Sequence, residues 1–533
     1  MLAAIVRKEL LNHLASFRFW VGALLTIVLA ASSTLIAARD YSLRLSSYQG
    51  RIADHQRQIQ TVSVYSYLQP LVVCPPEPLS VLDQGFDIRL GTDVRIHPFT
   101  IPVEAVGGQR GNEFLVSLPT VDLTTIVSMV LGLLALLLTY DAVITEREDG
   151  TLRAVFADGV SRRMVLAGKF AGGLLTLTLP LGTALLVSLL LFRLEVKAAP
   201  TPDQWLRVAG LTGAYVAYLS LMLLVGLLIS LHVRSTSKAL GIAVLVWFVT
   251  SIIVPNAAWA VASDLVTIQG AKRSTERRIA ELTAEHDQRL AKEFRRDPLR
   301  SAFSGHTAIS FATGEHRAVR YRYGSAAYYD SLAEYYRLDV AAGVRHAARI
   351  FELRQRYEEG LRASERLGEA LARLSPAFLL DRLSESFTGT SIDEYDRFLE
   401  ACRRYRLALL GYFDRKGALR SWRWFTDDLP GRLLPWPGYL GLNPEEVNPD
   451  RARLLFSRLS EPEIEAQVRR NQEAIERDPS RRLRLDEMPR FSYRGPDFLA
   501  SLHRSAAEGG TLLILNALAA AAAWVRFRRY ESG

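Results

Sequence analysis

Long apolar runs alternate with strongly charged segments along this chain. Five runs contain no Asp, Glu, Lys or Arg, and they cover residues 19–38, 123–140, 170–192, 208–231 and 239–262. A sixth run, 509–525, is shorter and rich in alanine. A helix needs about 20 apolar residues to cross roughly 30 Å of hydrocarbon, and a backbone in lipid must satisfy its own hydrogen bonds. The pattern predicts an all-α polytopic membrane protein with six transmembrane helices.

These runs divide the chain into spans and polar segments. We place the spans at 19–38, 121–140, 170–192, 208–232, 239–262 and 509–525. The polar parts between and after them are 39–120, 141–169, 263–508 and 526–533. With six spans, the two large polar segments, 39–120 and 263–508, fall on one side of the membrane. We interpret that side as extracytoplasmic.

The first 18 residues have a helical pattern of their own. Apolar side chains recur at Leu2, Ile5, Val6, Leu10, Leu14 and Phe17, and the polar side chains opposite them are Arg7, Lys8, Glu9 and Asn12. This pattern predicts an amphipathic helix in the membrane interface. A simple cytoplasmic extension of the first span fits the same residues.

The two large polar segments differ in predicted secondary structure. Segment 263–508 is mostly helical, and one helix is predicted to start with a capping box of Ser391 and Glu394. Another is predicted to start at Ser460, and the prolines and glycines of 428–450 indicate a long loop between them. Segment 39–120 begins as helix and then becomes rich in β and turn signals, which predicts a smaller mixed α/β segment.

Composition and charge narrow the functional classes. Apolar residues make up 49% of the chain and charged residues 23%, and the mean hydropathy is +0.08. The net charge of +9 comes from 65 Lys and Arg against 56 Asp and Glu. Arginines of the outer segment alternate with Glu and Asp in helical register, which is typical of a solvated helix face. We therefore predict no nucleic-acid partner.

Only two cysteines occur, Cys74 and Cys402, and both lie in the predicted extracytoplasmic segments. An oxidising compartment permits a disulfide between them. Cys402 also fits the buried face of a helix as a free thiol. The sequence alone leaves both alternatives open.

Motifs of catalysis and nucleotide binding are missing from the sequence. It has no H-E-x-x-H, G-x-S-x-G or C-x-x-C, and its nine histidines lack ligand spacing. Gly168 and Lys169 lack the other residues of a phosphate-binding loop. Asp122, Asp141 and Asp264 lie at span ends, so the buried carboxylate pair of an intramembrane aspartyl protease is missing, and ionisable residues are absent within the spans. We predict no enzymatic activity, no metal and no cofactor in this chain.

The loop after the second span mixes charges densely beside the bilayer. Residues 140–173 read YDAVITEREDGTLRAVFADGVSRRMVLAGKFAGG. The pattern predicts a short charged helix over 141–149, a turn at Gly150 and Thr151, and then an apolar face that includes Leu152. Such a helix between two spans can transmit force from a soluble partner, although an ordinary solvated loop has a similar composition.

At this loop the sequence resembles the permease subunits of ABC-2 type transporters, a family that includes the permeases of nitrous-oxide reductase maturation and of gliding motility. The matching residues are Asp141, Glu146, Arg147, Gly150, Thr151, Leu152, Ser161, Arg162, Gly168 and Lys169. Further matches are PPEPLSVLDQG at 75–85, LSPAFLLDRLSESFTGTS at 374–391 and DEMPRFSY at 486–493. Together they cover most of the chain in the expected order.

The resemblance implies the ABC-2 type exporter fold, dimeric permeases and cytoplasmic termini in a bacterial inner membrane. It also implies a coupling helix that docks on a separate ATP-binding subunit, where ATP and magnesium would bind. The coupling residues would be Asp141, Glu146, Arg147, Gly150, Thr151, Leu152, Arg162 and Lys169. Gly168 and Gly172, spaced as small-xxx-small, would let the third span pack closely against a neighbour.

Orientation rests on this resemblance, because Arg and Lys are nearly as dense in loop 193–207 as in the segments assigned inside. The function expected is an exporter-like permease of an ABC transporter, with periplasmic or envelope partners for the outer domain. The alternative is a non-transporting sensor or envelope-assembly protein whose outer helical domain binds a ligand or partner.

Overall fold

The computed structural model describes residues 2–107, 121–151, 156, 160–196, 200–265, 269–296, 308–313, 316–321, 326–425 and 482–529. Six helical segments in these ranges are long and apolar enough to cross a membrane. They are Phe17–Ile59, Leu123–Glu148, Arg162–Val196, Pro202–His232, Thr236–Asp264 and Ala506–Arg528, and we call them spans 1 to 6. The prediction of an all-α polytopic membrane protein with six transmembrane helices is confirmed.

The helices of the spans and their neighbours follow one another closely in the first half of the chain. They are α1 (Leu2–Ala15), α2 (Phe17–Ile59), α3 (Leu123–Ile126), α4 (Gly132–Thr139), α5 (Ile144–Glu148), α6 (Arg162–Val196), α7 (Pro202–His232), α8 (Thr236–Phe248) and α9 (Val254–Leu265). One π-helical turn, Val127–Leu131, joins α3 to α4, and a second, Val249–Ile253, joins α8 to α9. The second half contains α10 (Gln269–Arg296), α11 (Ala326–Ala372), α12 (Pro376–Thr388), α13 (Ile392–Arg415), α14 (Phe498–Arg504) and α15 (Ala506–Arg528).

Strands are short in the described part of the chain. Strand β1 (Leu71–Val73) pairs antiparallel with β2 (Asp93–Arg95), and β3 (Ala308–Thr313) pairs antiparallel with β4 (His316–Tyr321). In segment 39–120 the helix of span 1 runs on to Ile59, in agreement with the helical start that the sequence predicts for this segment. The extension is stabilised by ion pairs, because Arg44 binds Asp87 and Arg51 binds Asp93 in the segment that follows.

The two large polar segments build one outer domain with a common core. Val72 and Ile96 of segment 39–120 pack in the same cluster as Phe398, Cys402 and Phe413 of α13. Hydrogen bonds join the segments as well: the Ala105 amide donates to the Tyr395 hydroxyl over 2.8 Å, and Arg403 Nε donates to the Pro102 carbonyl over 2.9 Å. Segment 263–508, predicted as a domain in its own right, therefore shares its core with segment 39–120.

Helix α13 begins where the sequence predicts, but the predicted capping box does not form. Ser391 has an extended N-cap backbone and makes no side-chain cap hydrogen bond. The Glu394 carboxylate instead forms ion pairs with Arg397 and Arg504. The ion pairs of Glu394 with the two arginines therefore take the place of the capping-box hydrogen bonds. The helix predicted from Ser460 and the loop predicted at 428–450 lie outside the described residues.

The two ends of the span bundle can be told apart by what lies there. Helix α1 and the loop between spans 2 and 3 meet the last turn of span 6 at one end, which we call the terminal end. The outer domain lies at the other, which we call the domain end. Arg162 joins the start of span 3 to the end of span 6 there: its Nη1 donates to the carbonyls of Phe527 and Arg528 over 3.1 and 2.9 Å.

Candidate functional site

The loop between spans 2 and 3 begins in a turn that is buried against span 4. The amides of Val143 and Ile144 donate to the Ser230 hydroxyl of α7 over 2.9 and 3.3 Å. Both side chains are fully buried. Helix α5 follows at once and is shorter than the predicted 141–149 helix. The start of the loop is therefore held firmly on span 4, unlike a loop that only contacts solvent.

Four charged side chains connect this loop to α1 and span 3. The Glu146 Oε1 atom of α5 lies 2.8 Å from Lys8 Nζ and 3.0 Å from Lys169 Nζ. Lys169 also lies 2.9 Å from Glu9 Oε1. The side chains of Lys169 and Glu9 are only 3% and 7% exposed. We call Lys8, Glu9, Glu146 and Lys169 the charge network; it joins three segments that are far apart in the sequence.

The close approach of α1 to span 3 explains the two glycines of the small-xxx-small pattern. A Cβ on Gly168 would lie 2.5 Å from Ile5 Cγ2, and a Cβ on Gly172 would lie 2.6 Å from Glu9 Cβ. The missing side chains let the α1 backbone settle on α6, which brings Glu9 to Lys169. The neighbour of these glycines in this chain is α1.

We expect Gly172→Ala to destabilise the protein by about 1–3 kcal/mol, the usual cost of overpacking a tight contact. Gly182→Ala is the matched control, because it lies on the same helix and an added Cβ there meets nothing within 4 Å. The measurement is thermal unfolding of both variants in detergent micelles. Equal unfolding temperatures for the two variants would contradict the packing assigned to Gly172.

Other predicted residues tie the loop to further parts of the terminal end. Arg18 at the start of α2 lies 3.0 Å from Asp141 and over the ring of Tyr140. Arg147 Nη2 donates to the Arg234 carbonyl over 2.9 Å, in the turn between spans 4 and 5. The loop is thus attached to spans 1, 3, 4 and 5 through separate contacts.

The exposed tip of the loop contains Gly150 and Thr151. Gly150 has a φ of +70°, and a Cβ there would meet nothing within 4 Å. The left-handed backbone conformation favours glycine here. The open space around the residue would accommodate a side chain. Thr151 Oγ1 donates to the Glu146 carbonyl over 3.2 Å. Leu152, the remaining predicted coupling residue, lies outside the described residues.

The structure therefore brings Asp141, Glu146, Arg147, Arg162 and Lys169 to one end of the bundle. Sequence reasoning missed Lys8, Glu9, Arg18 and Ser230. The prediction for Glu9 was wrong. The helical pattern assigned its side chain to the polar face of α1, but the side chain is buried against span 3. The only sequence signal for this burial is indirect: Lys169 stands between two closely spaced glycines in an otherwise apolar helix.

The two cysteines are free thiols in the structure. Cys402 is buried on α13, and burial raises the pKa of its thiol to about 12. Cys74 is half-buried beside β1, and burial raises the pKa of its thiol as well. In this conformation both are poor nucleophiles, because the thiolate is the reactive form. Within the described ranges, the structure contains no His, Cys, Asp and Glu group suited to holding a metal ion.

Comparison with known proteins identifies the family. Residues 3–311 match the family described as ABC-2 family transporter protein. The chain belongs to the ABC-2 transporter permease family. The match covers all of spans 1 to 5, the charge network and the loop between spans 2 and 3.

Two further comparisons add detail to this ABC-2 permease. Residues 315–494 match a family described as a domain of unknown function, DUF3526. The described part of this range includes α13, which contributes to the core of the outer domain. The chain is also similar to a probable ABC transporter permease protein NosY of Pseudomonas aeruginosa. The two are 33% identical over 157 residues, which is 27% of this chain and 52% of that relative. The match thus spans about half the length of the curated relative.

Proposed function

We propose that this chain is an exporter-like permease subunit whose terminal end docks on a separate ATP-binding subunit. Membership of the ABC-2 permease family supports a membrane transport subunit with an ATP-binding partner. The observation that carries the proposal is the charge network. It places a short, exposed, charged loop in direct contact with a buried lysine of span 3 and with α1. Displacement of the loop by a partner would therefore move α1 and span 3 with it.

The proposal fixes an orientation. The ATP-binding subunit, and with it ATP and magnesium, would lie in the cytoplasm, so the terminal end and both termini would be cytoplasmic. The outer domain would lie outside the inner membrane of a bacterium, where it would guide or release substrate or contact envelope partners. A second permease subunit, identical or similar, would complete the transporter. The basic residues Arg526, Arg528 and Arg529 at the C-terminal end of span 6 support this orientation.

A charge reversal at the loop tests the proposal. We expect Glu146→Arg to reduce transport-linked ATPase activity about tenfold or more, because placing like charges together costs several kcal/mol. Glu508→Arg is the matched control at the domain end, where Glu508 pairs with Arg373. The exposed fractions of the two glutamates are 13% for Glu508 and 14% for Glu146. The measurement is ATP hydrolysis by each variant reconstituted in liposomes with the ATP-binding subunit.

Two results would overturn the proposal. Wild-type ATPase activity in the Glu146→Arg complex would remove the coupling role of the loop. Purification of the wild-type chain from membranes without any associated ATP-binding subunit would favour the sensor or envelope-assembly alternative.

A further inference from the structure

A pair of aspartates is buried at the domain end, where the segment before span 2 meets the start of that span. Asp83 is 4% exposed and Asp122 is 7% exposed. The backbone brings them together, because the Leu123 amide donates to the Leu82 carbonyl over 3.1 Å and the Gln84 amide donates to Asp122 Oδ2 over 3.3 Å. The sequence predicts Asp122 at a span end, where the structure also has it, but it gives no signal for the contact with Asp83.

The two carboxylates have unequal partners. Asp122 caps α3: its Oδ1 accepts hydrogen bonds from the amide and the hydroxyl of Thr125, each over 2.8 Å. Its negative charge also lies at the positive end of the helix dipole. Asp122 is thus well supplied with hydrogen-bond donors.

Asp83 lacks such support. Its Oδ1 accepts one long hydrogen bond of 3.3 Å from the Gly85 amide, and its buried Oδ2 has no hydrogen-bond partner among the described atoms. Its acidic neighbours are Asp122, Asp381 and Glu385, and the hydroxyl of Ser384 faces it as well. Burial raises the pKa of Asp381 and of Glu385 too. No Lys or Arg in the described part of the chain forms an ion pair with Asp83. A buried anion among other anions is strongly unfavourable, and such a carboxyl group takes up a proton.

The surrounding groups do not supply the missing positive charge. Arg382 on α12 is directed to Glu369 and Glu385, and Arg44 on α2 is directed to Asp40, Asp87 and the Ser80 hydroxyl. Arg89 acts on Glu385. On the bundle side the nearest polar groups are neutral hydroxyls: Thr124 Oγ1 lies 2.6 Å from Ser384 Oγ and 2.9 Å from the Tyr215 hydroxyl of span 4. Only a proton balances the charge of Asp83 in this arrangement.

We propose that Asp83 is a proton-binding site that joins residues 75–87, the start of span 2 and α12. In this conformation its carboxyl group carries a proton beside the carboxyl group of Asp122. It would release that proton to solvent when residues 75–87 move away from span 2. Proton binding would then favour the conformation in which these three segments are in contact. The inference does not depend on the proposed transport function.

The pKa shift of Asp83 determines how the stability of the protein should change with pH. Burial and then the neighbouring carboxylates raise the pKa of Asp83 well above its usual value. A carboxyl group whose pKa is raised by folding stabilises the protein below its unfolded-state pKa, and this contribution is lost as the pH rises towards the folded-state pKa. The wild-type protein should therefore be less stable at alkaline pH than at mildly acidic pH.

Asp83→Asn tests the site, because asparagine copies the shape and neutrality of the protonated acid. We expect the variant to fold, to lose one component of the protonated-carboxyl absorption of the full chain at neutral pH, which we call the band, and to lose part of the decrease in stability at alkaline pH. The band is read from the difference between the wild-type and variant infrared spectra, because Glu77, Asp381 and Glu385 also have raised pKa values. The measurements are infrared spectroscopy and thermal unfolding in detergent at several pH values. Asp87→Asn is the control, since Asp87 is paired with Arg44. This control should keep the band and destabilise at every pH.

The outcomes separate clearly. Loss of the band in Asp83→Asn and its retention in Asp87→Asn would establish the proton on Asp83. An unchanged band in Asp83→Asn, together with a pH dependence of stability equal to wild type, would overturn the proposal whatever the result of the ATPase experiment.

Discussion

Lys169→Met is expected to destabilise the protein by about 3–5 kcal/mol, the usual cost of leaving a buried charge without its partner. Lys169 is 3% exposed and lies between Glu9 Oε1 and Glu146 Oε1. Removing its ammonium group leaves the 7% exposed Glu9 as an unpaired anion against span 3. The measurement is the unfolding free energy of the variant in detergent micelles.

Lys8→Met provides a control on the same glutamate. Lys8 also binds Glu146, but its side chain is 50% exposed. Exposed ion pairs contribute only about 0–1 kcal/mol, so the same substitution should have little effect there. A double variant, Glu9→Leu with Lys169→Met, should recover most of the lost stability because no buried charge remains. Equal losses for Lys8→Met and Lys169→Met would show that burial does not determine the strength of the network.

The spans could be predicted from the sequence because their signal is local. An apolar run of this length indicates a spanning helix wherever it occurs, and each of the six apolar runs lies within one of the six helical segments that are long and apolar enough to cross a membrane. The end of the first helix could not be predicted in this way. Charged residues from Arg39 onwards mark the edge of the apolar run, yet the helix continues to Ile59 because Arg44 and Arg51 find acidic partners that lie some 40 residues further on.

The candidate site could be predicted only in part, because several of its contacts join residues that are far apart in the sequence. The family resemblance identified the loop residues, and the structure places the described ones at a single end of the bundle. One partner of Lys169, Glu9, comes from α1, 160 residues earlier, and helical periodicity alone assigns Glu9 to the polar face. The capping box at Ser391 failed for a similar reason. Arg504, 110 residues away, takes the Glu394 side chain that a cap would use.

Arg207→Met is expected to weaken the junction between span 4 and the outer domain in a pH-dependent manner. Arg207 is 3% exposed; its Nη1 lies 3.0 Å from Glu77 Oε1, and its Nε donates to the Phe387 carbonyl over 2.7 Å. It therefore joins span 4 to two of the segments that carry the family resemblance, 75–85 and 374–391. Gly389 leaves room for it, since a Cβ there would lie 2.5 Å from Arg207 Nη2.

The pH dependence follows from Glu77. Burial raises the pKa of Glu77 to about 7, and Arg207 opposes that rise. Without Arg207 the pKa should rise further, so at about pH 5.5 the carboxyl group of the variant is neutral and only the hydrogen bond to Phe387 is lost, at about 1–3 kcal/mol. At about pH 8 Glu77 is also left as a buried anion or must bind a proton, and the loss should grow by up to about 1.4 kcal/mol, because about one pH unit separates pH 8 from the wild-type pKa of Glu77.

Unfolding in detergent at the two pH values measures this difference, with Arg39→Met as control. Arg39 is 66% exposed and lies 3.6 Å from Glu195, so its loss should be small at both pH values. Adding Glu77→Gln to Arg207→Met should remove the pH-dependent part and leave the loss of the Phe387 hydrogen bond. If Arg207→Met were equally destabilising at both pH values, the Glu77 ion pair would not contribute to the junction, and Arg207 would act there only through its hydrogen bond to Phe387.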